Sequence, residues 1–95
     1  MKIEDVDRFE VGESVHARRF DDELVVLDLA HGEYYALDEV GARVWEGFAG
    51  GDSLSGVFEG LLSTYDVDRE RLQEDVASFA GELVDKGLMR VCRRA

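Results

Sequence analysis

The stretch Leu24-Val25-Val26-Leu27-Asp28-Leu29-Ala30-His31-Gly32-Glu33-Tyr34-Tyr35-Ala36-Leu37-Asp38-Glu39-Val40-Gly41-Ala42-Arg43-Val44-Trp45 decides the fold of this chain, because the spacing of its apolar residues changes at Asp38. Before Asp38, the runs Leu24 to Leu29 and Glu33 to Leu37 are rich in Val, Leu and Tyr and too short for stable helices, so both read as strands. Ala30-His31-Gly32 supplies the turn between them. After Asp38, Val40, Val44, Trp45 and Phe48 recur at helical spacing, and the Asp38 carboxylate can cap that helix.

Working toward the N terminus, Val15 to Phe20 reads as another strand, joined to the next by Asp21-Asp22, a pair suited to a tight turn. Three strands with short turns predict an antiparallel meander. Met1 to Ser14 is polar, charged and without clear periodicity, and reads as an arm, either flexible or an irregular edge segment. Toward the C terminus, Gly50-Gly51 stops the first helix. Ser53 can cap a second helix with the stripe Leu54, Val57, Phe58, Leu61 and Leu62. After the connector Asp66-Val67-Asp68, a third helix carries Leu72, Val76, Phe79 and Leu83, and Gly87 stands at its expected stop. Leu88 to Val91 adds a short extended piece, and Arg93-Arg94 reads as a frayed basic tail. The expected architecture is α+β: a three-stranded antiparallel sheet followed by three helices, winged-helix-like, over residues 15–91, with an arm at 1–14 and a tail at 92–95.

Composition narrows the function. A chain of 95 residues has room for one domain with a thin core. Its 22 Asp and Glu against 11 Lys and Arg leave a net charge of −11, the opposite of the basic footprint that neutralises phosphates, so nucleic acid is not an expected partner. The single cysteine, Cys92, cannot form an internal disulfide, and with no histidine cluster there is no expected metal or other cofactor. His16 and His31 read as isolated surface residues. No run approaches the roughly 20 apolar residues that span a bilayer, and no secretory leader opens at Met1. The expectation is a soluble, cytoplasmic protein without a membrane partner.

One arrangement carries functional information. If Glu33 to Leu37 is the last strand of the meander, its outer edge offers unpaired N–H and C=O groups to which another strand can add. A third helix beside that edge would supply one wall of a groove. Taken singly, Tyr35, Leu37, Leu72, Val76, Phe79 and Leu83 are each explained by core packing. Tyr34 is more informative, because strand alternation turns it away from Tyr35 and Leu37, and an outward aromatic marks a candidate binding surface.

The run from Val25-Val26-Leu27-Asp28 through Gly32-Glu33-Tyr34-Tyr35-Ala36-Leu37-Asp38 to Val44-Trp45 resembles the PqqD-like family, named for protein D of pyrroloquinoline quinone synthesis. Tyr65-Asp66-Val67-Asp68 and Leu83-Val84-Asp85-Lys86-Gly87-Leu88 resemble its later helix signatures, so the likeness extends from about Val15 to Val91. The resemblance implies a non-catalytic module that recognises the leader of a ribosomally synthesised precursor peptide. In the family, the leader is held as an added strand against the third strand, beside the third helix, and presented to a modifying enzyme or leader peptidase. Carried over, the contact surface is Glu33, Tyr34, Tyr35, Ala36 and Leu37 with Leu72, Asp75, Val76 and Phe79, and Arg71 and Asp75 add charged contacts. The Gly-x-Tyr-Tyr-x-Leu-Asp run most resembles the stand-alone recognition proteins of lasso-peptide synthesis. The cofactor-synthesis protein usually has a proline near the start of its first helix, and this chain has none.

Three other classes compete. Gly51-Asp52-Ser53-Leu54 matches the attachment signature of phosphopantetheine in acyl and peptidyl carriers, although the same serine is an ordinary helix cap, and carriers have a long helix where this chain has strands. A helix-turn-helix transcription factor would need basic residues on its reading helix, whereas the second helix has none and the third has Arg69, Arg71 and Lys86 among more numerous acids. An enzyme would need a nucleophile, acid–base or phosphate-loop context, and none is legible.

Overall fold

Two hairpins set the frame. The computed structural model describes residues 3–92, so the basic tail at Arg93-Arg94 lies outside the described residues. Because a strand β1 (Arg8–Val11) lies further upstream, the expected meander is β2 (Val15–Phe20), β3 (Glu23–Asp28) and β4 (Glu33–Leu37), antiparallel in that order. Asp21 takes a positive φ of 52° in the first turn, a conformation that Asp tolerates better than most side chains. Gly32 takes φ 66° in the second, where any side chain would be strained. The register pairs Val26 with Ala17 and Tyr35, and Leu27 with His16 and Tyr34. Alternation then places Leu24, Val26, Tyr35 and Leu37 on the face toward the helices, and Leu27 and Tyr34 on the other.

Three helices follow, each started by the side chain expected for it. In α1 (Glu39–Ala49) the Asp38 carboxylate accepts from the Gly41 N–H at 2.8 Å. In α2 (Leu54–Thr64) the Ser53 hydroxyl accepts from Gly56 at 3.2 Å, and in α3 (Arg69–Asp85) Asp68 accepts from Arg71 at 3.3 Å. The end of α3 is a Schellman turn: Leu88 N–H bonds the Leu83 carbonyl at 2.9 Å, Gly87 N–H bonds that of Val84 at 3.0 Å, and Gly87 takes φ 73°.

That turn sends the chain into β5 (Met89–Cys92), which pairs antiparallel with β1 (Arg8–Val11) in a separate two-stranded sheet. The stretch 1–14, read from sequence as an arm, thus contains a strand, and the extended piece near Val91 has its partner there. Phe9 of β1 is buried with its ring centroid 4.4 Å from that of Phe48, and Arg90 bonds Glu10 across the pair. Upstream, the carbonyls of Asp5 and Asp7 accept from Ser55 and Leu54, satisfying N–H groups at the start of α2.

Trp45, Phe48, Ala42 and Val44 of α1 form the centre of the core, with Leu24 and Val26 from the sheet, Leu54, Val57 and Leu61 from α2, and Val76, Ala80 and Leu83 from α3. Among the described residues no helix is long and apolar enough to cross a membrane.

Candidate functional site

Of the meander's two outer strands, β2 carries Arg18 and Arg19, both exposed, the kind of charge that discourages strand addition. The other, β4, reads Glu-Tyr-Tyr-Ala-Leu and bonds a neighbour on one side only. The N-terminal strand pairs elsewhere, with β5, so among the described residues it leaves the β4 edge uncovered.

Along that edge runs a groove whose far wall is α3. Its central section, about 450 Å³, lies between Ala36, Leu37 and Asp38, the start of α1 at Val40, Gly41 and Val44, and Leu72, Asp75, Val76 and Phe79 of α3. A second section of about 360 Å³ continues past Phe79, between Tyr34 and Tyr35 on one side and Glu82, Leu83, Lys86 and Leu88 on the other. A third, about 160 Å³, extends the other way among Val67, Asp68, Arg71, Leu72 and Asp75. Shared wall residues make the three continuous along the length of α3.

The walls are apolar and the rims are charged. Tyr34 is 72% exposed, whereas Tyr35, Leu37, Leu72 and Phe79 are half-buried. The Tyr35 hydroxyl donates to Glu33 at 2.7 Å, and the Lys86 ammonium stands 5.5 Å from the centre of the Tyr35 ring. The bond to Glu33, then burial, then the charges of Glu33 and Asp28 push the Tyr35 hydroxyl above its ordinary range. At the adjoining turn, the His31 ring donates to the buried Asp28 carboxylate at 2.8 Å, so His31 is exposed, as expected of it, yet not isolated. That bond holds the Asp28 carboxyl below the usual aspartate range.

Of the residues singled out from sequence, Tyr34, Tyr35, Ala36, Leu37, Arg71, Leu72, Asp75, Val76 and Phe79 come together around the groove. Glu33 stands apart and reaches it through the Tyr35 hydroxyl. Val76, which the resemblance places on the contact surface, is only 3% exposed and belongs chiefly to the core. Sequence reasoning missed the contribution of α1 through Val40, Gly41 and Val44, and that of Glu82, Leu83 and Lys86 at the end of α3. Glu82 was findable, since it follows Phe79 by three residues and shares its helix face. Ser53 is a half-buried cap at the start of α2, away from the groove. Among the described residues no group of three His, Cys, Asp or Glu is placed to hold a metal.

A winged-helix-like module with an open sheet edge facing an apolar helix is the class these features define. The model of one family, Coenzyme PQQ synthesis protein D (PqqD), matches residues 23–89, from the start of β3 to the start of β5, and the chain belongs to that family. Among solved structures, the chain is similar to TbiB1 in complex with the TbiA(beta) leader peptide, at 31% identity and a TM-score of 0.81, over 85% of this chain and 94% of that one. It is likewise similar to a lasso peptide synthetase B1 complexed with the leader peptide, at 26% identity and a TM-score of 0.80, over 87% of this chain and 98% of the other. No curated protein matches the chain.

Proposed function

We propose that this protein binds the leader segment of a ribosomally synthesised precursor peptide, as a fourth strand along β4, and delivers it to a peptide-modifying enzyme or leader peptidase, with no catalytic step of its own. The observation that carries this reading is the open β4 edge facing the apolar wall of α3 in a fold whose solved neighbours are leader-peptide complexes. Main-chain hydrogen bonds to β4 supply affinity without regard to sequence, and alternate side chains of the added strand enter the groove and supply selectivity. Tyr34, Tyr35, Ala36 and Leu37 form the strand side of the contact, with Glu33 acting through Tyr35, and Arg71, Leu72, Asp75, Phe79 and the rim of Val76 form the helix side. Lasso-peptide synthesis is the setting that the two neighbours favour.

The test is a fluorescence-polarisation titration with a labelled leader peptide from a precursor encoded beside this gene, against a scrambled control. Saturable binding at micromolar or tighter affinity, absent for the scramble, is the expected result. A folded protein that ignores the leader would refute the assignment.

A further inference from the structure

The groove is not electrically uniform. Phe79 lines both of its larger sections, and Asp75, four residues earlier, and Glu82, three residues later, share its helix face. Asp75 lines the section on one side of the ring and Glu82 the section on the other, and both are exposed. Elsewhere on the surface, Glu10, Glu39, Glu46 and Glu59 each meet an arginine. Among the described residues the Asp75 and Glu82 carboxylates have neither an ion pair nor a hydrogen bond. Glu82 and Lys86 stand at a helical spacing that permits pairing, yet the Lys86 ammonium lies over the Tyr35 ring.

Resting on the peptide-binding reading above, we propose that Phe79, Asp75 and Glu82 form a subsite for one lysine or arginine side chain of the bound peptide. The chemistry is specific to a cation. The face of a half-buried aromatic ring attracts positive charge, two unpaired carboxylates flank it, and the apolar walls beside them limit screening by water. Arg71 and Lys86 occupy the two ends of the groove, and their charges disfavour a basic residue there. The preference is therefore for a basic residue in the middle of the bound segment, on the side of the added strand that faces α3. The occupant belongs to the peptide, because among the described residues β4 is the open strand edge beside this face, where an extended chain can gain main-chain hydrogen bonds.

The experiment is the same titration, with the leader's lysines and arginines changed one at a time to glutamine, against the wild-type protein and the variants Asp75→Asn with Glu82→Gln, and Glu74→Gln. Glu74 is exposed and lines none of the groove sections. The double variant is expected to weaken binding roughly threefold to tenfold, given a cation–aromatic contact and partly exposed ion pairs, and to flatten the dependence of affinity on salt. One peptide substitution should weaken binding by a similar factor to the wild type and have no further effect on the double variant. Glu74→Gln should match the wild type. Unchanged affinity in the double variant, a loss that couples to no basic residue of the leader, or full-strength binding by a leader lacking lysine and arginine would each overturn the subsite while leaving leader recognition intact. A leader that fails to bind the wild-type protein at all would refute both.

Discussion

Replacing Tyr34 with alanine separates binding from folding better than any other change in the groove. The side chain is 72% exposed and stands opposite Leu27, itself 40% exposed, on the face of the sheet away from the core. Its loss removes one solvent-facing cross-strand pair, worth about 0.2–1 kcal/mol. For a domain of this size that lowers Tm by no more than about 8 °C. The effect on the ligand is larger. An aromatic side chain offers ~200 Å² of surface, so the exposed part of Tyr34 is on the order of 140 Å². If the added strand covers half of that, ~25 cal/mol per Å² yields about 1.8 kcal/mol, or roughly twentyfold in Kd. The checks are a leader titration by fluorescence polarisation and a thermal melt followed by circular dichroism on the same preparation. A normal melt with a Kd within about twofold of wild type would remove Tyr34 from the binding surface and with it the reasoning from outward aromatics on an open edge.

Further outcomes follow from the packing and the turn chemistry. Gly47→Ala in α1 would put a Cβ 2.7 Å from Val57 Cγ2 of α2, and the forced separation should cost about 1–3 kcal/mol in a urea melt. Gly60→Ala meets no atom within 4 Å on α2 and should instead stabilise by about 0.5–1 kcal/mol, and the opposite order of the two variants would contradict the α1–α2 contact. Ser53→Ala should cost about 1 kcal/mol through the lost cap and leave leader affinity unchanged, because the residue is outside the groove. If Ser53 instead gains the mass of a phosphopantetheine arm on treatment with a phosphopantetheinyl transferase, the carrier reading revives. The Asp28 carboxyl is held below its unfolded value by His31, so its stabilising contribution is present above about pH 4 and is lost as the pH falls through the folded value. His31→Ala should therefore shrink the loss of urea resistance between about pH 5 and pH 3, and equal acid sensitivity in the two proteins would count against the bond.

Much of the candidate groove was legible in the sequence. The β4 residues, the Tyr34 alternation and the Leu72–Phe79 face of α3 follow from periods of two and 3.6. The stripe Leu72, Val76, Phe79 and Leu83 looks uniform in sequence, yet Val76 and Leu83 are buried while Leu72 and Phe79 line the groove half-exposed. Periodicity identifies a helix face but not the angle at which a sheet meets it, and that angle divides core from groove. The part of α1 in the site was illegible for the same reason: Val40 and Val44 read as core residues, and only the position of β4 relative to α1 and α3 makes them a wall.

By itself the sequence determined the three strands of the meander, the three helices and the residues that start those helices. Asp38, Ser53 and Asp68 each cap the helix expected of them, and Gly32 and Gly87 occupy backbone conformations that other residues resist, because these are local interactions between neighbours in the chain. Tertiary structure alone decided the pairing of Arg8–Val11 with Met89–Cys92, two four-residue strands from opposite ends of the chain. Neither is long enough to announce a period, and the two are so far apart in sequence that only the packing of the helices between them brings them side by side. With β1 paired to β5, β4 keeps one strand neighbour, and among the described residues its other edge is open.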